Sequence, residues 1–525
     1  MNEFHISITE QSITGSRKEI EVVMAKQSRT KGIIISYIVT AFRAFSQFFL
    51  TSVYLKRLGF DDYGFYQYVY SIASYAIILD FGISSVVNKF TIEYREKKDT
   101  KGVQNALFLC LMMTFFAVVI IGIVGAVIVW IAPSIFGQLT ADQLTLAREL
   151  LIIIILYIIT LIFQHYFEGV LLSNEHYVTL KSISLFQIVA KFSIVLFLLY
   201  SDMGSISIAI SDLLAAIICL IISITYSFAV LKIRIKFYYF DKVMLRGASK
   251  LAGSLCLQSV ILYLNSSIDK YLLGRLLNTI AVTVYTVAMN FSSFFDEIPS
   301  VIQRMYLPQA VKLVTNGANG EDFTSFVIKP GRFQFVLCGG MLGGFILFGK
   351  DLIILWAGQD ALLAWWIALL LMSASILPLI QNVCLAILTA KNKRMFRSYV
   401  LAGIAFLNFF LTIILVKRFG LLGAPIGTFI SLILGNNIAM NWYYKNKIGI
   451  NIGRLFKSIF KGILPCIIIT TLFSGLLLLV NNRVTWFWFI TKCVIFMIVY
   501  IILLWFFGFN DDEKRSIKKR FKVLR

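Results

Sequence analysis

Residues 104–131 read QNALFLCLMMTFFAVVIIGIVGAVIVWI, twenty-eight positions with no Asp, Glu, Lys, Arg or His. As a helix rising 1.5 Å per residue, this run outreaches the ~30 Å hydrocarbon core of a bilayer. It has no polar face, so it is not the surface helix of a water-soluble domain. It also lacks the polar-apolar alternation of a membrane barrel strand. Working outward from it, runs of the same kind fall at 33–54, 65–88, 148–172, 182–200, 206–231, 251–274, 281–303, 331–350, 362–389, 398–416, 424–443, 462–480 and 485–508. With 104–131 they make fourteen. The expected fold is all-α: a polytopic membrane protein of about 14 transmembrane helices.

Composition closes off the other classes. Of 525 residues, 59% are hydrophobic and 14% charged, against about 45–50% and about 25% in soluble domains. A secreted disulfide scaffold, a disordered chain and a soluble multidomain enzyme are excluded on that balance. All seven cysteines lie inside apolar runs without metal spacing, and read as packing residues. No cofactor, metal site or catalytic constellation is expected. The first ~30 residues are polar and end basic, with no apolar core of the signal-peptide kind.

The net charge of +22 has two readings, a nucleic-acid surface or cytoplasmic loops. Fourteen spans put both termini on one side. With that side inside, the segments 1–32, 89–103, 173–181, 232–250, 304–332, 390–397, 444–461 and 509–525 hold 37 Lys and Arg, and the outside segments hold 8. Charge spread over every inside loop fixes a cytoplasmic placement of both termini and argues against nucleic acid. The outside loops are short, so function must reside within the membrane of the cell. A weak internal repeat relates Leu55-Lys-Arg57-Leu58 with Tyr66 to Leu273-Gly-Arg275-Leu276 with Tyr285. It implies two parallel six-helix units followed by two further helices. The expected organisation is a cytoplasmic tail 1–32, an N-lobe 33–231, a linker 232–250, a C-lobe 251–443, a segment 444–508 with spans 13 and 14, and a basic tail 509–525.

Ionisable residues inside spans are the main functional signal, because each costs several kcal/mol unless it meets a partner or a wet cavity. Arg43, Asp80, His165 and Lys191 fall at similar depth in the inner half of the first unit. A structural pair of Arg43 with Asp80, a snorkelling Lys191 and a satisfied core His165 are the structural alternatives. The functional reading is a cationic cavity for an anionic substrate, in which Arg offers a planar fork to phosphate oxygens. In the second unit Asp269 and Lys270 are adjacent, as are Asp296 and Glu297, with Arg304 beyond. These are expected to form ion pairs or a coupling site for a proton or a cation. Pro299 and Pro378 kink their spans.

The stretch Tyr54-Leu-Lys-Arg-Leu-Gly59, Tyr63-Gly64-Phe-Tyr66 and Asp80-Phe-Gly82-Ile83 resembles the opening of polysaccharide lipid flippases of the O-antigen and capsule type. These belong to the multidrug/oligosaccharidyl-lipid/polysaccharide exporter superfamily. Ser267-Ile-Asp269-Lys270-Tyr-Leu-Leu-Gly274 and Met305-Tyr-Leu-Pro308 are similar to its later junctions. The resemblance implies two six-helix lobes around a central cavity. It also implies transfer of undecaprenyl-diphosphate-linked oligosaccharide from the inner to the outer leaflet by alternating access. On that reading Arg43, Lys191 and His165 meet the pyrophosphate, and the driving force is either an H+ or Na+ antiport through the carboxylates or downhill flux drawn by later polymerisation. Membrane lipid, a polysaccharide polymerase and assembly proteins are the partners, and the chain is not an enzyme. The alternatives are a cation-coupled exporter of small molecules and a membrane glycan polymerase or ligase. The latter class needs a sizeable outer loop that this chain lacks.

Overall fold

The computed structural model describes residues 35, 38–137, 139–480, 484–515 and 518. The expected tail 1–32 and the end of the expected basic tail lie outside them. The described residues form helices joined by short turns and by the irregular segment 231–241, with no strand among them. The helices are α1 Ile38–Arg57, α2 Gly59–Ala73, α3 Ile83–Glu96, α4 Thr100–Trp130, α5 Ala132–Ile135, α6 Ala141–Ser173, α7 Tyr177–Tyr200, α8 Ile206–Thr225, α9 Lys242–Leu276 and α10 Thr279–Thr315. They continue as α11 Gly320–Ala357, α12 Leu363–Ile380, α13 Val383–Ala390, α14 Met395–Phe419, α15 Gly423–Leu432, α16 Met440–Tyr443, α17 Ile452–Phe460, α18 Ile463–Val480 and α19 Trp486–Leu503.

Among the described residues, eleven helices are long and apolar enough to cross a bilayer, or twelve if the bent pair α17–α18 is one span. That is fewer than the fourteen expected, and the reasons are local. The expected runs 398–416 and 424–443 share one stretch, Met395–Ile448. It folds back at Gly420, where φ is 58° and ψ is −137°, so that α14 and α15 pack side by side. The expected run 281–303 sits on α10, whose apolar content is broken by Asp296, Glu297 and the internal prolines Pro299 and Pro308.

The chain divides into two units. The first comprises residues up to Leu58 and Val69–Tyr263. Its centre is α6, which packs against α3, α4 and α8. Ile154, Ile158, Ile162 and Tyr166 recur every four residues on α6 and are fully buried, as one face of a 3.6-residue helix requires. The Tyr166 hydroxyl donates to the Leu107 carbonyl of α4 at 3.0 Å, removing an otherwise orphaned buried donor. Asp99 caps α4, and Thr140 forms a capping box with Gln143 at the start of α6.

The second unit comprises Gly59–Tyr68 and Leu264–Arg525. Here Gly59–Tyr68 packs on the junction of α9 and α10. Thr283 Oγ1 donates to the Phe60 carbonyl at 2.6 Å, Thr279 bonds to Asp61, and Tyr68 stacks on Tyr271 at 6.2 Å. A Cβ on Gly64 would stand 2.0 Å from the Thr279 carbonyl oxygen, so only glycine fits this crossing. Lipid gives little hydrophobic drive for helix association, and close backbone approach is how van der Waals contact accumulates instead.

The helix α11 is tied at both ends to the C-terminal helices. Near its start the buried Arg332 pairs with Glu513 at 2.7 Å and donates to the carbonyls of Ser458, Lys461 and Gly508. Near its end Asp351 pairs with the buried Lys492 of α19 at 2.9 Å. Neither Glu513 nor Asp351 figured in the sequence-based expectations, and together they neutralise two cations that hydrocarbon would reject.

Candidate functional site

The first unit holds its ionisable residues at a broken helix. After α2 the chain tightens into a 3-10 turn, Ser74–Asp80, and then reverses hand at Phe81 (φ 51°) and Gly82 (φ 61°) before α3 begins. A non-glycine residue at positive φ costs of order 1–3 kcal/mol and survives only where its surroundings fix it. A Cβ on Gly82 would lie 2.4 Å from Leu255 Cδ1. The motif Asp80-Phe-Gly82 therefore marks an interruption inside a membrane span. Such backbone is tolerated at membrane depth only where protein or a wet cavity surrounds it.

Asp80 closes this turn and meets His165 of α6, with Nδ1 3.0 Å from Oδ1. The two were expected at matching depth, and the structure joins them. The expected structural alternative, an Arg43–Asp80 pair, is not what forms. Among the described residues no carboxylate lies within ion-pair distance of Arg43, which is exposed on α1.

Lys191 of α7 pairs with Asp212 of α8, Nζ to Oδ1 2.5 Å. Asp212 was missed by sequence reasoning. It is an acidic residue inside the run 206–231, and comparing its distance from the α7–α8 turn with that of Lys191 would have flagged it. The Lys191 side chain is 35% exposed and Asp212 11%; His165 is 31% exposed and Asp80 21%. In both pairs the cationic or protonatable partner is the more accessible one. Gln164 and Gln187 join α6 to α7 beside them at 2.9 Å.

In the second unit the expected residues separate. Asp269 is buried and accepts from Tyr285 at 2.6 Å, Thr428 at 2.9 Å, Asn408 at 3.0 Å and Thr412 at 3.2 Å. Four donors hold one carboxylate, so its charge is met by hydrogen bonds alone. Lys270, its neighbour in sequence, points elsewhere and donates to Gln67 at 3.1 Å. Asp296 is reached by Ser375 of α12, while among the described residues its Oδ1 has no hydrogen-bond partner. The fully buried Gln334 of α11 donates to the Pro299 carbonyl at 3.2 Å and leaves its own Oε1 unpartnered. Glu297, adjacent to Asp296, is half-buried on α10. The Arg304 side chain lies outside the described residues. Among the described residues no three His, Cys, Asp or Glu side chains converge as a metal site.

Residues 30–302 match the profile of the family described as "Polysaccharide biosynthesis protein", a span of more than half the chain. No curated protein sequence matches the chain. Among solved structures, the chain is similar to one titled "Lipid II flippase MurJ, inward closed conformation". The TM-score is 0.70 and identity 16%, over 94% of this chain and 100% of that one. It is also similar to the inward-facing conformation of a multidrug resistance MATE family transporter of the MOP superfamily. There the TM-score is 0.68 and identity 13%, over 80% of this chain and 98% of that one. At these identities the likeness establishes the fold. The chain is a multi-pass membrane protein of that architecture.

Proposed function

Because the chain belongs to the polysaccharide biosynthesis protein family, we propose that it is a flippase for lipid-linked oligosaccharide. Its cargo is an undecaprenyl-diphosphate-linked repeat unit of a surface polysaccharide such as O-antigen or capsule. Unaided, a diphosphate meets a prohibitive solvation barrier in hydrocarbon. A pathway with fixed polar groups lowers that barrier, and alternating access moves the headgroup without a leak.

The observation that carries the reading is the cluster in the first unit. Arg43 is an exposed cation in no ion pair among the described residues, and Lys191 is the more accessible partner of its pair. An incoming diphosphate meets Arg43 first and then competes with Asp212 for Lys191. His165, released from Asp80 in the same manner, adds a third donor. Paired cations suit a carrier better than bare ones, because the empty site must also cross the cycle without stranded charge. Of the two buried carboxylates in the second unit, Asp269 is saturated by donors. Asp296 keeps an open oxygen and is the better place for a coupling proton.

The corresponding organisation is an N-lobe 33–231 that takes the headgroup, a C-lobe 251–443 that takes the coupling ion, and the segment 444–508. The charge bias supports a place in the plasma or inner membrane with both termini cytoplasmic. The experiment is depletion in living cells. Loss of surface glycan with lipid-linked repeat units retained on the inner leaflet supports the proposal, and unchanged surface glycan overturns it. A second reading, a cation-coupled exporter of small molecules, draws on the C-lobe carboxylates. It requires gradient-driven dye extrusion by reconstituted vesicles, which a dedicated flippase does not perform.

A further inference from the structure

The first unit contains an apolar cavity of about 430 Å³ that the transport reading does not use, walled by α3, α4 and the start of α9. Phe240 and Leu245 stand at one end, Phe116 and Gly253 at the other. From Leu245 to Gly253 along α9 is about 12 Å at 1.5 Å per residue. That matches the ~15 Å thickness of one leaflet's hydrocarbon. A Cβ on Gly253 would meet nothing within 4 Å, so the slot is open at that point.

Its mouth is basic. Arg246 and Lys250 are exposed on α9 and lie seven and three residues before Gly253, on the same helix face. Lys89, exposed on α3, follows the lining residue Val86 by three positions. The chain ahead of α9 continues the pattern. Between 232 and 236, Lys232, Arg234 and Lys236 are exposed while Ile233 and Ile235 turn in, and then come the exposed aromatics Phe237, Tyr238, Tyr239 and Phe240. This strap is pinned by Asn105, whose Oδ1 accepts from the Tyr238 and Tyr239 amides at 3.0 and 3.2 Å. The nearby acid Asp241 is engaged by Tyr94 and the Met244 amide. Aromatics interleaved with cations above an apolar slot are the chemistry of a lipid interface.

We infer that this slot holds one acyl chain of an anionic phospholipid from the leaflet on the basic side, with the lipid phosphate bound by Arg246 and Lys250. A polyprenyl chain of eleven isoprene units is far longer than one leaflet and does not match the slot's depth. The occupant is therefore a resident lipid and not the cargo, and the inference needs only the membrane location.

The test uses the full-length protein, equilibrated in vesicles of equimolar phosphatidylglycerol and phosphatidylcholine and then extracted and washed in mild detergent. Retained lipid is read by native mass spectrometry. The expected result is preferential retention of phosphatidylglycerol by the wild type. The double variant Arg246→Gln/Lys250→Gln lowers that retention roughly thirtyfold. Gly253→Leu, whose Cβ meets nothing within 4 Å, places a larger side chain in the slot and lowers retention of both lipids. Equal retention of the two lipids by the wild type overturns the inference without any variant. So does wild-type retention by Gly253→Leu, or preferential retention of a polyprenyl diphosphate added in competition.

Discussion

Lys191 and Asp212 face each other across the α7–α8 hairpin with Nζ 2.5 Å from Oδ1, and the lysine is the more exposed of the two. The first unit therefore stores a cation in neutral form. Removing either partner takes a charged contact from the other at membrane depth, at about 1–3 kcal/mol. Lys191→Ala and Asp212→Asn should each lower thermal stability in detergent. The double variant should regain stability but not glycan export. Export by the double variant at the wild-type level would remove Lys191 from the pathway.

Among the described residues Arg43 has no ion-pair partner to lose. Arg43→Ala should leave the melting temperature within the range of an ordinary surface change, about 0.5 kcal/mol. Glycan export should fall about tenfold, as for one charge-assisted contact to phosphate. Arg43→Lys keeps the charge but not the fork, and should give an intermediate rate. The measurement is surface glycan against membrane-inserted protein.

Arg332 is the reverse case, a buried guanidinium with five hydrogen bonds and an ion pair. Truncating one partner of a buried pair costs about 3–5 kcal/mol. Glu513→Ala should therefore lower the unfolding midpoint strongly. An Arg332→Met/Glu513→Leu double variant should recover most of it. Thermal unfolding in one detergent reads both.

Asp241 lies between spans, ahead of α9. Burial pushes its carboxyl up, but the Met244 and Val243 amides, the Tyr94 hydroxyl and Lys97 outweigh this and hold it below the ordinary carboxylate value. A depressed acid stabilises the fold above its unfolded pKa, about 4, and that stability is lost as pH falls through the lower folded value. Hydrogen exchange in 232–241 should thus be protected evenly from pH 7 to pH 5 and rise only below about 4. In Asp241→Asn the protection should be weaker at every pH.

What the sequence discloses here follows a physical division. Long apolar runs are set by bilayer thickness, a one-dimensional constraint, so the membrane class and most spans are legible from Gln104–Ile131 outward. Depth along a helix is also one-dimensional, and it correctly puts Asp80 and His165 at the same level. The identity of partners is not, because it depends on helix rotation and neighbour choice. Arg43 and Asp80 share a depth yet face different groups, and Lys270 turns to Gln67 instead of its neighbour Asp269. The fold-back at Gly420 falls in the gap between the runs 398–416 and 424–443, and only its backbone geometry was not legible. The resemblance motifs look degenerate in the sequence because their fixed points are geometric: Gly64 against the Thr279 carbonyl, and Gly82 at positive φ.

The two ties on α11 have a practical side. A chain cut after α16 would not simply be a shorter bundle. It would expose the guanidinium of Arg332 and the carboxylate of Asp351 to acyl chains, along with the glycine-lined flank where Ile467 and Tyr500 now rest. Fusion tags and truncations belong beyond Glu513, because the last helices are wall rather than ornament.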